Sequence, residues 1–300
     1  MKRALFLVVT LLLVAGPGRA EHTYSASGLV LRVDQANGSL VISCEKIPGY
    51  MDAMVMSFPV SKTEKLAEVG VGAMIEFKLV VDGESAHIEG IRVHRYDGAE
   101  QDPSSARRLK ILAEVMEGSK ELPSLKPGKP VPDFSLVDQE GRKVALSEFA
   151  GKVVVLTFTY THCALPSFCF RIANHFRLLQ KRFAEHLGRD LIFVSITFDP
   201  VHDTPEVMAK YGKTWNADPR SWKLLTGAPP EVEKVCHLFG ISFWPDEGLM
   251  THSLHTLVVD RDRSLVADLE GNEYSADQLG DLVQTVLVRT GREAIPAASR

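Results

Sequence analysis

The pattern of apolar and polar positions divides the chain into two unlike halves. In the first half, short runs of alternating apolar and polar residues recur, and turn signals such as Asp82-Gly83 separate them. Alternation with a period of two predicts half-buried strands joined by tight turns. The predicted strands are residues 28–33, 39–44, 53–60, 74–81 and 87–94. Five short strands in sequence predict a small five-stranded β-barrel of the OB-like kind, closed or nearly closed.

The second half, from residue 131, alternates strands with helical segments. Residues 153–159 and 191–198 are unbroken apolar and β-branched runs, which are typical of central strands covered on both faces. Periodicity and capping patterns predict helices over 168–184, 204–215, 230–239 and 274–290, and a closing hairpin of 254–259 with 265–269. This alternation predicts an α/β domain, so the expected fold class is mixed.

The N-terminal segment is predicted to be a targeting signal. Lys2 and Arg3 precede an apolar run over residues 4–16, and Gly18-Arg19-Ala20 supplies small residues at a cleavage site. The run is shorter than the ~20 residues that span a bilayer, and an uncleaved anchor is the alternative. We therefore expect an exported protein, periplasmic or on the outer face of the cytoplasmic membrane, with no membrane span after signal removal.

The chain is expected to have five parts. These are a signal peptide (1–20), a β-barrel (21–96), a linker with one helix (97–128), an α/β domain (129–293) and a tail (294–300). The hydrophobic fraction of 45% and charged fraction of 24% are those of ordinary globular proteins. A net charge of -4 supplies no positive field for a phosphate backbone, which argues against nucleic acid as a partner.

Two of the four cysteines lie between a predicted central strand and the helix after it. Cys163 and Cys169 are separated by five residues that include a proline. At the first turn of a helix, amide groups and the helix dipole favour a thiolate, so we expect the pKa of Cys169 to be lowered. The spacing is wider than the two residues of dithiol exchange proteins and suits a metal ion between the sulfurs. Two buried core cysteines or a structural disulfide are the alternatives.

Other features of the sequence limit the functions that this pair of thiols can have. A peroxidatic cysteine follows a threonine by three residues, whereas Tyr160 stands there, so a peroxidase is disfavoured. Export places the thiols in an oxidising compartment, and we expect a thiol reductant protein to keep them reduced. Cys236, in the middle of a predicted helix, is interpreted as a core residue.

Three ordered motifs in the second half resemble the Sco/SenC family over about residues 130–292. They are the strand and loop that end in Thr-His-Cys163 with the second cysteine after it, the run Phe198-Asp199-Pro200 with Asp203-Thr204-Pro205, and Thr251-His252-Ser253-Leu254. Members of that family are thioredoxin-like copper metallochaperones of the periplasm and of mitochondria, and they help to assemble the copper A centre of cytochrome c oxidase. The resemblance implies a thioredoxin-like fold here.

The resemblance also implies copper ligands, namely Cys163, Cys169 and His252. Two thiolates and one neutral imidazole suit soft Cu(I) in an open three-coordinate arrangement, and use of Cu(II) is also left open. The sequence departs from the family pattern in its wider cysteine spacing, in Phe170 where proline is usual, and in His255 where arginine is common. His255 is interpreted as structural.

Two carboxylates follow the second predicted central strand. Asp199 and Asp203 lie at its carboxyl end, the sheet edge at which α/β proteins place their sites. One of them is expected to orient the metal site through a neighbouring group. A helix cap is the alternative for Asp203.

The barrel carries a second candidate metal site. Met51, Met54 and Met56 are three of eight methionines, and alternation places Met54 and Met56 on one face. A core stripe is the alternative, although thioethers suit Cu(I). The stretch resembles the CusF copper-binding domain over about residues 26–95, whose site combines one histidine, two methionines and an aromatic residue. The resemblance implies Met54 and Met56 as ligands, with Cys44 in the histidine position and Met51 in the aromatic position.

The whole sequence therefore predicts an exported two-domain copper metallochaperone. The barrel would capture Cu(I), and the tethered thioredoxin-like domain would deliver it to a recipient copper protein, with cytochrome c oxidase subunit II as the expected recipient. One alternative is a thiol-disulfide oxidoreductase that uses Cys163 and Cys169 as its redox pair and keeps the recipient's cysteines reduced. Another is copper sequestration for tolerance, without handover.

Overall fold

The structure, a computed structural model, describes most of the two predicted domains. The described residues are 21–61, 66–83, 85–94, 96, 107, 124–163, 166–246 and 249–289. The predicted signal peptide, most of the predicted linker with its helix, and the predicted tail lie outside them. None of the helices in these ranges has the length and apolar content that crossing a bilayer requires.

The first sheet contains five antiparallel strands in the order β3-β2-β1-β4-β5. They are β1 (His22–Asp34), β2 (Ser39–Cys44), β3 (Met54–Pro59), β4 (Met74–Asp82) and β5 (Ser85–Val93). A bridge between Val60 and Ile88 joins the two edges, so the sheet curls into a barrel. The predicted five-stranded sheet is confirmed, and a short 3-10 helix, Leu66–Glu68, precedes β4.

The second sheet has seven strands in the order β14-β13-β8-β9-β10-β6-β7, and β8, β9 and β10 run parallel. The strands are β6 (Ser135–Asp138), β7 (Lys143–Ala145), β8 (Val153–Thr159), β9 (Leu191–Thr197), β10 (Trp222–Thr226), β13 (His255–Val259) and β14 (Leu265–Glu270). A separate hairpin consists of β11 (Phe243–Asp246) and β12 (Leu249–His252). Every residue of β8 and β9 is buried, as the apolar runs predicted.

Within the described ranges, four α-helices accompany this sheet. They are α1 (Arg171–Arg182), α2 (Pro205–Thr214), α3 (Pro229–Leu238) and α4 (Ala276–Leu287), and a 3-10 helix, Leu146–Phe149, follows β7. The predicted capping box of Ser275 and Gln278 begins α4. The predicted start of α1 at residue 168 was wrong, because Pro166–Phe170 forms a separate π-helical turn in which the backbone of Phe168 is not helical.

Five strands were missing from the sequence prediction, and β10 shows why. Its second residue, Lys223, is charged and only 8% exposed, and it interrupts the apolar pattern. The Lys223 ammonium lies 3.2 Å from the buried carboxylate of Asp138 in the neighbouring β6. A search for apolar runs does not detect a strand that carries one partner of a buried ion pair.

The barrel packs directly on the α/β domain through apolar contacts. Leu29 and Leu31 of β1 are fully buried, and they belong to the same apolar core as β8, β14 and α4. The contact is close at Gly72, where an added Cβ would lie 2.9 Å from the Cβ of Ala267. Gly72 also has a φ of +88°, which favours glycine.

Hydrogen bonds complete this interface along α4. The Ser43 hydroxyl donates to the Asp281 carboxylate at 2.7 Å, and the Gln278 amide donates to the Ser43 carbonyl at 3.3 Å. Arg182 of α1 donates to Asp281 at 2.6 Å. The two domains are therefore joined by a packed, hydrogen-bonded contact in addition to the predicted linker.

A buried histidine in α1 makes the fold sensitive to acid. His175 is 6% exposed, its Nδ1 has no hydrogen-bond partner among the described residues, and its ring packs 5.5 Å from that of Tyr274. Burial, with a smaller contribution from the charge of Arg171, lowers the pKa of His175 from 6.5 to about 4. A proton thus binds the unfolded chain more tightly, so this group destabilises the fold increasingly as pH falls from about 6.5 towards 4.

We expect His175→Leu to reduce the stability lost between pH 7 and pH 5 by about 2 kcal/mol, because the unfavourable protonation is removed. Urea unfolding of the full chain at the two pH values measures this difference. His22→Gln is the control, since His22 is exposed. Equal pH dependence in His175→Leu and the parent would contradict the prediction.

Candidate metal centre

Both cysteines of the predicted pair lie where β8 turns towards α1. Cys163 is 6% exposed and Cys169 is 3% exposed, and neither forms a disulfide. The two thiols hydrogen bond to each other, and the backbone N–H of Tyr160 donates to the Cys169 sulfur. The structure thus brings the pair together in reduced form, and the disulfide alternative is not adopted.

His252 lies beside this pair, at the end of β12. Its ring is 6% exposed and lies between three aromatic rings, with centroid distances of 5.7 Å to Tyr160, 6.4 Å to Phe168 and 4.6 Å to Phe198. Its Nδ1 lies 2.9 Å from the Ser253 carbonyl oxygen. A carbonyl only accepts, so Nδ1 carries the proton and the lone pair of the neutral ring is on Nε2.

The Nε2 atom of His252 faces Cys169, 3.8 Å from its sulfur. Metal bonds of about 2.3 Å to sulfur and about 2.0 Å to imidazole nitrogen, at a trigonal angle, would hold the two donors about 3.8 Å apart. The described part of the chain contains no preformed cluster of three or more His, Cys, Asp or Glu side chains suited to a metal. The donors are therefore arranged as two pairs, thiol with thiol and thiol with imidazole, and Cys169 belongs to both.

The expected lowering of the Cys169 pKa was wrong. Its hydrogen bond with Cys163, its burial and the nearby charge of Cys163 together raise the pKa of Cys169 well above its ordinary value. The reason is local, because α1 begins only at Arg171 and the π-helical turn places Cys169 in the protein interior. Cys169 is therefore a protonated thiol at neutral pH, and a bound metal must displace its proton.

Asp203 fixes the start of the cysteine loop, which is the segment between β8 and α1 that carries Cys163 and Cys169. Its fully buried carboxylate accepts hydrogen bonds from the Thr161 N–H at 3.1 Å, from the Thr161 hydroxyl, and from the Thr197 hydroxyl at 2.6 Å. It thereby joins the end of β9 to the residues before Cys163. The helix cap is instead Thr204, whose hydroxyl accepts from the Val207 N–H.

The other residues singled out from the sequence lie in different surroundings. The Asp199 carboxylate accepts a hydrogen bond from His202 Nδ1 at 2.9 Å. His255 pairs with Asp268 at 2.9 Å, and Cys236 is fully buried in α3, consistent with structural roles for both.

Two methionines of the barrel are exposed to solvent, whereas its cysteine is buried. Met54 is 49% exposed and Met56 is 37% exposed, whereas Cys44 is 2% exposed although it pairs with Met54 in the β2-β3 register. Burial raises the pKa of Cys44 to about 12. Met51 is partly buried against the barrel core. Two thioethers are thus accessible on the barrel surface, while the neighbouring thiol is protonated and covered.

The aromatic residues at these sites were not predicted as site residues from the sequence. Tyr50 is 42% exposed beside Met51 and stacks on Tyr24 at 4.5 Å, and its proximity to the methionine cluster was a usable signal. Phe168 and Phe198 contact His252 only because distant segments fold together, so no local pattern indicates them.

A mixed sheet with three parallel central strands, a thiol pair after the first of them and an imidazole brought to that pair by a later hairpin defines a thioredoxin-like protein. The SCO1/SenC family model matches residues 124–287, which is more than half of the chain. The chain belongs to the SCO1/SenC family. A second model, described as copper binding periplasmic protein CusF, matches residues 23–93. Both resemblances found in the sequence are confirmed, and copper is the metal that they indicate.

Similarity to individual proteins covers mainly the C-terminal half. The chain is 27% identical over 155 residues to the mitochondrial SCO1 homolog 1 of Arabidopsis thaliana, covering 49% of this chain and 44% of that protein. It is 32% identical over 169 residues to a putative peroxiredoxin of Mycobacterium tuberculosis, covering 56% of this chain and all of the relative. The structure of Arabidopsis thaliana ScoI with copper bound is 26% identical, with a TM-score of 0.47, and covers 53% of this chain and 99% of that one. The chain spans about half the length of the mitochondrial relatives.

We expect Asp203→Asn to lower the free energy of unfolding by about 2 kcal/mol, because an amide nitrogen would face hydroxyl and amide donors in a buried site. Chemical unfolding of the full chain measures the loss. Asp199→Asn is the matched control, and we expect it to cost less than about 1 kcal/mol since its partner His202 is exposed. Equal losses in the two variants would show that Asp203 does not fix the loop as described.

Proposed function

We propose that this protein is an exported copper chaperone that binds Cu(I) through Cys163, Cys169 and His252 and hands it to a partner protein. The observation that carries the proposal is the 3.8 Å separation of Cys169 Sγ and His252 Nε2, with the opposite ring nitrogen bound to a backbone carbonyl. A histidine oriented in this way presents its lone pair to a metal. Soft Cu(I) is the ion that two sulfurs and one imidazole prefer.

The surroundings of the site suit temporary storage. The aromatic rings around His252 exclude water, while the protonated state of Cys169 makes copper compete with a proton. That competition weakens net binding at neutral pH and favours release to an acceptor whose thiols are more readily ionised. The expected acceptor is the copper A site of cytochrome c oxidase subunit II, and the expected location is the periplasm.

The barrel would capture copper through Met54 and Met56, because their thioethers are exposed and bind without deprotonation. Cys44 or Met51 would complete that site. The barrel is docked on α4 through Ser43, the residue before Cys44, so it has a fixed orientation relative to the α/β domain.

A thiol-disulfide oxidoreductase is the second candidate function. The hydrogen bond between Cys163 and Cys169 places their sulfurs within reach of disulfide formation, and part of the chain resembles a putative peroxiredoxin. The raised pKa of Cys169 argues against it, since the thiolate is the nucleophile in exchange.

The test of the chaperone proposal is Cu(I) affinity in the full mature chain, with Met54→Leu and Met56→Leu present so that only the α/β domain is measured. Anaerobic competition against a Cu(I) chelator should show one bound ion. Cys163→Ser with Cys169→Ser should abolish binding, and His252→Ala should weaken it at least tenfold because one of three ligands is lost. Cys236→Ser, which removes the buried thiol of α3, should leave the Cu(I) affinity unchanged.

Handover is measured by mixing the copper-loaded protein with a purified, reduced copper A domain. Transfer supports a chaperone, whereas retention of copper would indicate sequestration. Unchanged Cu(I) affinity in His252→Ala, together with disulfide exchange on the oxidised acceptor, would favour the oxidoreductase instead.

For the barrel, we expect the full chain with Cys163→Ser and Cys169→Ser to bind one Cu(I) and to lose it when Met54→Leu and Met56→Leu are added. Leucine keeps the apolar volume and removes the sulfur, so only ligation is affected. Met74→Leu is the control, because Met74 packs against the core. Cys44→Ala then shows whether the buried thiol contributes. Binding that survives loss of both methionines would refute this site.

A further inference from the structure

Two exposed imidazoles lie together beside the thiol pair and have no part in the proposed Cu(I) site. The His162 side chain, adjacent in sequence to Cys163, is 63% exposed, and that of His202, in the turn after β9, is 66% exposed. Their ring centroids are 6.2 Å apart. The two residues come from different β-strand ends, so the fold and not the local sequence brings them together.

Each ring is held by its Nδ1 atom. His202 Nδ1 lies 2.9 Å from both carboxylate oxygens of Asp199. His162 Nδ1 lies 3.2 Å from the Thr161 hydroxyl and 3.9 Å from the Asp203 carboxylate. Within the described residues, neither Nε2 atom takes part in a hydrogen bond or an ion pair. Both Nε2 atoms are therefore available to a ligand from solvent.

The pairing of His202 with Asp199 is the arrangement that orients metal-binding histidines and strengthens them as ligands. Two imidazoles bound to one ion at about 2.0 Å place their centroids at most about 6.3 Å apart. The observed centroid distance of 6.2 Å, with the two ring planes at 74°, lies within that limit. Because both side chains are exposed, rotation of the rings costs little packing.

We propose that His162 and His202 form a second metal site, made of imidazoles only, which takes Cu(II) at the solvent-facing side of the cysteine loop. Imidazole suits Cu(II), and Cu(II) is the most strongly bound of the first-row divalent ions. Two ligands leave the remaining positions to water or to groups of a donor protein, which suits an arriving ion. The site is separate from the thiol pair, because the thiols are buried and the imidazoles are exposed.

The experiment uses the full mature chain with Cys163→Ser and Cys169→Ser, so that no thiol of the pair reduces the probe, and with His22→Ala, which removes the imidazole next to the predicted N terminus. The probe is Cu(II) alone, titrated against glycine and observed by electron paramagnetic resonance. One bound ion with hyperfine coupling to two imidazole nitrogens is expected. His162→Ala or His202→Ala should each weaken binding at least tenfold and remove the two-nitrogen signal.

Asp199→Asn should weaken binding about tenfold while keeping the two-nitrogen signal, since it removes the partner of His202 and not a ligand. His237→Ala is the matched control, because His237 is an exposed histidine beside a carboxylate, 3.8 Å from Glu233 on α3. Affinity unchanged by His202→Ala, or reduced equally by His237→Ala, would overturn the proposal. Absence of Cu(II) binding in the parent would also overturn it, and would leave the Cu(I) site untouched because its thiols are absent from this chain.

Discussion

The burial of the Cys169 thiol next to an imidazole nitrogen of His252 is the constraint on which the rest of the site depends. Cys169 is desolvated, hydrogen bonded to Cys163 and 3.8 Å from the Nε2 atom of His252. An ionised thiol in this position would be costly without a cation, so burial favours the protonated form of Cys169. A monovalent soft ion can replace the thiol protons while the charge buried with the sulfurs stays small, which favours Cu(I) as the ion of the proposed site.

The ends of the strands in the α/β domain position the residues of this site. β8 leads into the cysteine loop, β9 ends at Thr197, and the β11-β12 hairpin ends at His252. Asp203 joins the first two of these, since it accepts hydrogen bonds from residues on both. Carboxyl ends of neighbouring parallel strands meet at one sheet edge, which is why residues distant in sequence converge there.

The sequence predicted the elements with strong periodicity and the residues within recognisable motifs. β2 and the capping box of α4 were predicted correctly because an alternating run and a Ser-x-x-Gln pattern are local signals. The direction of the Cys169 pKa shift was predicted wrongly, because it depends on a π-helical turn that no local sequence pattern indicates. The docking of the barrel on α4 could not be predicted from the sequence either, because Ser43 and Asp281 come together only in the folded chain.

The three kinds of candidate metal-binding side chain differ in their exposure to solvent. In each case the exposure matches the chemistry of the donor atom. The thioethers of Met54 and Met56 are accessible, and a thioether needs to lose no proton to bind copper. The imidazoles of His162 and His202 are exposed and suit the divalent ion. The thiols, which oxygen and oxidants would attack, are buried. Because oxidation of a thiol requires both access and ionisation, burial and a raised pKa protect the dithiol against oxidants, whereas the binding proposed for copper requires only that the ion displace the protons.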